Sequence, residues 1–230
     1  MDIARFIQIY IIQGLFALFF LYMAYKILKR GKKGLNLYLS GFYLSTTIGG
    51  TLNIIYANIF DKSIVYIMHF TTFFLFCMSL VFLLIFVLII LKPIKQITPK
   101  IQIFILIIYG FLIFGLLLIP DGIIIDESTN WKPNWSWIFF TYAIIVSSSI
   151  AIIPTIYYSI KIYGKIESEY LKKKWKYFFI GIFAYFFLFY GTTFSNSLHN
   201  DSFRFVFSLI SLPNLISLYL VYYGVGRQLE

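Results

Sequence analysis

Charge is scarce in this sequence: 12% of its 230 residues are Asp, Glu, Lys or Arg, 60% are hydrophobic, and the mean hydropathy is +0.86. A globular domain carries about a quarter charged residues. The shortage excludes a separate soluble catalytic domain, because only short linkers are left once the apolar runs are set aside. Cysteine is represented once, by Cys77 inside an apolar run, so no intramolecular disulfide can form. His69 and His199 are the only histidines. Asp61 and Asp201 lie in neighbouring linkers, but the four have no metal-ligand spacing, and a seven-helix zinc hydrolase needs a fuller histidine set. No metal and no cofactor are expected. Acidic and basic residues are also missing from the depth of every apolar run, which weighs against a proton pump, a voltage sensor or an ion-coupled carrier. The same absence leaves no lysine for a retinal Schiff base. No Ser, Cys or Thr has a base with an orienting acid beside it, so no enzyme activity is expected.

What the sequence does contain is a series of apolar windows near the 20 residues needed to cross a bilayer. Seven spans are predicted, at about 6–28, 35–60, 63–91, 101–119, 135–160, 177–197 and 203–225. The first run is too long for a signal peptide and has no small-residue cleavage site, so it reads as a span. The expected fold is therefore all-α, a polytopic seven-transmembrane helix bundle forming a single domain over residues 1–230.

The basic residues fix the expected orientation. Lys26, Lys29, Arg30, Lys32 and Lys33 gather in one linker, and Lys92, Lys95 and Lys100 in another. Lys161, Lys165, Lys172, Lys173, Lys174 and Lys176 fill a third, and Arg227 follows the last span. Arg5, Lys62, Lys132 and Arg204 fall on the other side with most of the acids. Lys and Arg accumulate on the cytoplasmic face, so the N-terminus is expected outside and the C-terminus in the cytoplasm of a multi-pass protein of the cell (plasma) membrane. These lysines attract anionic membrane lipids and sit on no soluble surface that nucleic acid would bind. Trp131, Trp135, Trp137 and Trp175 all fall at predicted span ends, where amphipathic rings favour the interface. The outer linker 120–134 contains Ile123, Ile124 and Ile125 between turn residues and is expected to fold back as a short lid or hairpin.

Small and polar residues form stripes. Asn36, Ser40, Tyr43, Thr47 and Gly50 mark one face of the second span; Gly181, Ala184, Leu188, Gly191, Thr192 and Ser195 mark one face of the sixth. Such stripes face other helices, leaving Phe183, Phe186, Phe187, Phe189 and Phe194 toward lipid, with the Tyr190 hydroxyl in need of a partner. Pro154 and Pro213 interrupt spans five and seven and are expected to act as hinges, with Ser147, Ser148, Ser149, Ser211 and Asn214 available to the freed backbone. Asn53, Tyr56, His69, Thr72, Tyr142, Thr193, Asn196, Ser211 and Asn214 compose a charge-free polar interior in the outer half, the candidate pocket for a small neutral or lipid-like ligand. For each of them interhelical hydrogen bonding is the competing role.

The final segment, Leu220-Val221-Tyr222-Tyr223-Gly224-Val225-Gly226-Arg227-Gln228-Leu229, resembles the exit from the seven-helix sensor region at the N-terminus of membrane histidine kinases. Pro133-Asn134-Trp135 ahead of span five and the basic 171–176 segment feeding Phe178-Phe179-Ile180-Gly181-Ile182 are similar to the same family. The resemblance implies a seven-transmembrane, receptor-like role in signal reception. It supplies no fixed ligand residues, and the sequence carries no kinase, so it is either a sensor region of a longer protein or a stand-alone member with a signalling partner. The expected function is a sensor that detects its ligand from the outer side. Signal output would pass through Lys172, Lys173, Lys174, Lys176 and Arg227 to a cytoplasmic partner or a homodimer. The alternative is a small transporter or lipid-handling protein, which would need a continuous polar path; a scaffold without ligand would have no cavity.

Overall fold

The computed structural model describes residues 3–31, 34–91 and 96–225; Arg227, Lys32, Lys33, Lys92 and Lys95 lie outside them. The described residues are helical apart from one hairpin and the linkers. Its helices are α1 (Ile7–Arg30), α2 (Gly34–Tyr56), α3 (Lys62–Leu91), α4 (Pro99–Leu118), α5 (Trp137–Lys165), α6 (Glu169–Leu198), α7 (Asp201–Ser211) and α8 (Asn214–Gly224). α1 to α6 run alternately up and down, and α7 and α8 follow one another in the direction opposite to α6. Arg5, Lys62, the hairpin and Arg204 therefore share one end of the bundle, here the hairpin end, while Lys26, Lys100, Lys165 and Lys172 share the other, the lysine end.

Helix starts follow from their caps. Thr98, Ser136, Ser168 and Asn200 precede α4, α5, α6 and α7, and each side chain accepts a backbone N–H three residues on. The Ser168 cap corrects the span limits expected from hydropathy: α6 begins at Glu169 rather than near residue 177. The basic linker shrinks to residues 166–168, and the lysines ride on the first helical turns.

Among the described residues, five helices are long and apolar enough to cross a membrane, and α7 with α8, bent by 44° at their junction, make a sixth candidate. α2 has the length of a span, but Asn36, Ser40, Ser45, Thr46, Thr47, Thr51 and Asn53 lower its hydropathy. Large apolar side chains such as Leu18, Ile67, Phe104, Phe111, Ile138, Ile153 and Ile216 point outward around the bundle, an arrangement suited to lipid.

α3 forms the centre, touching α2, α4 and α5 directly and α6 through Phe73–Phe189 and Phe86–Phe178 ring contacts. The α6 small-residue stripe faces α7 and α8 as expected. A Cβ on Gly181 would lie 2.7 Å from the Val221 nitrogen, one on Gly224 would lie 2.6 Å from the Lys174 carbonyl, and one on Gly191 would enter the Phe207 ring. Phe183, Phe187 and Phe194 are exposed, but Phe186 and Phe189 are buried, because α6 is flanked on more than one side and few of its faces reach the exterior.

The two prolines behave differently. Pro213 sits at the break between α7 and α8, where the Leu209 carbonyl accepts the Leu212 N–H, so a backbone turn rather than a serine satisfies it. Pro154 leaves α5 continuous: the preceding Ser148–Ile152 segment is π-helical, and the Ile153 N–H reaches back to the Ser148 carbonyl, which takes up the irregularity within the helix. Ser148 meets the Tyr190 hydroxyl at 2.7 Å, the partner that tyrosine requires.

Tryptophan placement corrects the interfacial reading for two of four. Trp175 is buried and donates to the Ser159 carbonyl at 2.9 Å, and Trp135, in the hairpin itself, is buried with its indole donating to His69; Trp137 is exposed. Both buried indoles found acceptors inside the bundle, so burial leaves no polar group unpaired.

Candidate functional site

The linker between α4 and α5 builds the roof of the site. Ile123–Ile124 pairs antiparallel with Asn134–Trp135, in the register Ile123 to Trp135, and Ile123 and Ile125 turn their side chains inward. Between the strands Asp126 caps the short Glu127–Thr129 helix, and Asn130 and Trp131 follow with φ of 51° and 58°. Positive φ is unfavourable for a residue as bulky as tryptophan. Arg5 offsets it by donating from its two terminal nitrogens to the Asn130 and Trp131 carbonyls, each at 2.7 Å.

Arg204, on the first turn of α7, fastens the other strand. It donates to the Pro133 carbonyl at 2.6 Å and Asn134 Oδ1 at 3.0 Å, and its Nε donates to the Ser195 carbonyl at 3.2 Å. It is only 5% exposed. Arg204 keeps its expected end of the bundle but is buried rather than solvated: a guanidinium with several acceptors can be buried where an unpaired charge cannot. Asp201 links the same corner to Lys132 at 2.8 Å.

Beneath this roof lies a cavity of about 440 Å³. The volume is within the range of small-molecule sites. Its walls come from α1, α2, α3, α6 and α7. Asn53, Tyr56, His69, Thr72, Thr193, Asn196 and Ser211 all line it; Tyr142 and Asn214 do not. The Tyr142 hydroxyl instead donates to the Leu112 carbonyl on α4, since its side of α5 faces away from the cavity, and Asn214 begins α8 below the break. The rim includes Arg5, Lys132, Arg204 and Asp201, so the expected charge-free interior is corrected to a neutral wall under a charged edge. The sequence carried no sign of this, because the Asn130, Trp131 and Pro133 carbonyls lie 71 residues or more along the chain from the arginines they bind.

The α1 wall holds no residue of the expected pocket. Ile7–Gln13 is π-helical, and Gln8, Ile9, Ile12 and Gln13 all reach the cavity. These positions, i, i+1, i+4 and i+5, share one side of the helix. Gln13 accepts from the Asn53 amide across the α1–α2 contact.

His69 is held from both sides. Trp135 Nε1 donates to its Nε2 at 3.0 Å, and its Nδ1 meets the Tyr56 hydroxyl at 2.7 Å. An indole N–H only donates, so Nε2 is the accepting nitrogen, and the neutral ring carries its proton on Nδ1. His199, in a left-handed conformation at the end of α6, bonds the Trp135 carbonyl at 3.2 Å. Both histidines thus brace Trp135, and no group of three metal-ligating side chains occurs among the described residues.

Apolar residues, chiefly Phe16, Phe20, Phe73, Phe76, Phe189 and Phe207, line the deeper part. At the bottom Thr46 and Tyr185 bond at 3.2 Å, with Ser79 also on the Tyr185 hydroxyl. Buried Phe42, Tyr43, Leu80 and Leu84 fill the bundle below.

At the lysine end, Lys174 is buried with its ammonium 3.4 Å from the centre of the Tyr223 ring, which removes it from the expected contact surface. Its stem lies in the α6–α8 groove because Gly224 lets the two backbones approach. Lys172 pairs with Glu169 at 2.8 Å, while Lys173 and Lys176 are exposed. Comparison with protein-family models, curated proteins and solved structures finds no match for this chain.

Proposed function

We propose that this chain is a seven-span protein of the plasma membrane, N-terminus outside, acting as a receptor-like sensor that takes a small amphipathic, lipid-like molecule into the hairpin-end cavity. The observation that carries the reading is the contrast along the bundle axis: a roofed cavity at one end, closed below Thr46 and Tyr185 by packed side chains. A carrier needs a path through both halves. The basic residues gathered at the lysine end support the orientation, and α2 and the bent α7–α8 pair supply the spans beyond the five clear ones.

Output follows from α6 to α8. Glycine contacts make these helices one packed unit, the Pro213 break lies beside the cavity residue Ser211, and the unit ends at Lys173 and Lys176. A ligand that prefers one position of α7 moves this unit against α1, and only such a preference produces a signal. The exposed lysines then meet a cytoplasmic signalling partner or a second copy, the role implied by the resemblance to kinase sensor regions. No catalysis is assigned to the chain itself.

Spin labels at Lys29 and Lys173, both exposed, test the reading. The distance between them should change when a monoacylglycerol saturates the cavity in nanodiscs. An unchanged distance distribution with the cavity filled rejects the sensor, and solute uptake into proteoliposomes would replace it with a carrier.

A further inference from the structure

The cavity wall has two hydroxyls whose hydrogen-bonding capacity the protein leaves unused. Because the Trp135 indole fixes the His69 proton on Nδ1, that nitrogen donates to the Tyr56 oxygen. The tyrosine's own hydrogen is then directed elsewhere. Thr72, one turn from His69 on α3, lines the same cavity at 3% exposure, and its Oγ1 has no hydrogen-bond partner among the described residues. Most buried hydroxyls in this bundle do have one: Thr46, Thr47, Thr155, Thr193 and Ser197 each donate to the carbonyl four residues back. A buried donor without an acceptor is unfavourable by about 1–3 kcal/mol, which a bound acceptor recovers.

We infer that the Tyr56 and Thr72 hydroxyls form a head-group subsite for a neutral amphiphile bearing a carbonyl or hydroxyl oxygen, whose apolar part lies among the cavity phenylalanines. The inference rests on the sensor reading for its ligand and adds the ligand's chemistry. Two donors suit an uncharged carbonyl, which has two lone pairs. A carboxylate suits the place poorly: the neighbouring imidazole is neutral, and Arg5 and Arg204 are engaged with roof carbonyls above. Below the hydroxyls, Phe16, Phe20, Phe73, Phe76, Phe189 and Phe207 offer only apolar contact. The polarity of the wall therefore orders the ligand along the bundle axis, oxygen toward the roof and hydrocarbon toward the floor.

Trp131 and Trp135 line the cavity at its roof, so quenching of their fluorescence by a monoacylglycerol brominated next to its head group reports binding to the purified full chain. A bromoalkane and a bromo-fatty acid of matched length are the comparisons. Thr72→Val keeps shape and disturbs no protein hydrogen bond; Tyr56→Phe also removes the acceptor of the His69 proton and serves as the second variant. Each is expected to weaken monoacylglycerol binding about 3- to 10-fold, the equivalent of one hydrogen bond, and to leave bromoalkane binding unchanged. Equal monoacylglycerol affinity in the wild type and Thr72→Val overturns the subsite. So does a fatty acid that binds more tightly than the ester and loses its advantage in Arg204→Gln, which would move the head group to the rim. If alkane and monoacylglycerol bind alike and both shift the spin-label distance, the sensor stands and the subsite falls; if neither is bound, both fall.

Discussion

The two ends of the bundle are held by different forces. At the hairpin end, guanidinium and ring N–H groups donate to backbone carbonyls and to His69, directed bonds that arch over a cavity. At the lysine end, glycines bring helix backbones together and tyrosine faces receive ammonium and guanidinium groups, as in Lys174 on Tyr223 and Arg30 on Tyr222, with no such arch among the described residues. Directed bonds can be exchanged for bonds to a ligand one at a time. Close packing resists compression and transmits strain as a unit, so under the proposed reading the first end receives and the second transmits.

The sharpest way to break this contrast is at Gly224. Gly224→Leu drives a side chain into the Lys174 carbonyl and Phe178 nitrogen, backbone atoms that cannot rotate aside. Overpacking of this kind destabilises by about 3 kcal/mol or more, so thermal unfolding should show the largest loss here. An unchanged Tm would mean that α6 and α8 are not in close contact. At the other end, Arg204→Ala strands the Ser195 and Pro133 carbonyls and should destabilise by about 2 kcal/mol. Its readout is local: faster protease cleavage within the roof, with cleavage at the lysine end unaffected.

Much of the helical layout is legible in the sequence because apolar runs need no long-range partner to declare themselves. The glycine stripe of α6 was legible for a related reason, since small residues at helical spacing have few uses other than close approach. Arg204 was not, because its acceptors at Pro133 and Ser195 become neighbours only when α5, α6 and α7 meet. The polar cavity wall was readable as a stripe, but Tyr142 could not be separated from it: the helical face of α5 that turns toward α4 is set by packing, not by composition. Nor do the π segments at residues 7–13 and 148–152 have a sequence mark, apart from Pro154 after the second.

A smaller effect separates Lys174 from its neighbours. Lys174→Met keeps the stem and removes the charge from the Tyr223 face, with an expected loss of about 1 kcal/mol, whereas Lys173→Met should leave Tm unchanged. Equal effects would show that the site is a general basic patch. The smallest effect concerns pH. The Asp126 carboxyl is held below its ordinary value of 3.8, first by the Ser128 hydroxyl, with the Ser128 amide and Lys62 adding to it. A depressed carboxyl contributes stability above its ordinary pKa and loses it as pH falls through the folded value. Roof cleavage should therefore accelerate slightly as pH falls below about 4, and Asp126→Asn should cleave at the same rate on both sides of that range.

The length of α3 has a further consequence. Its 30 residues measure about 45 Å, against a hydrocarbon thickness of about 30 Å, while α4 with 20 residues measures about 30 Å. Left alone in lipid, so long an apolar rod would tilt steeply or thicken the bilayer around it. Here its neighbours act as a sleeve, so hydrophobic mismatch falls instead on the shorter outer helices. Bilayer thickness then becomes a variable the molecule feels at its circumference rather than along α3.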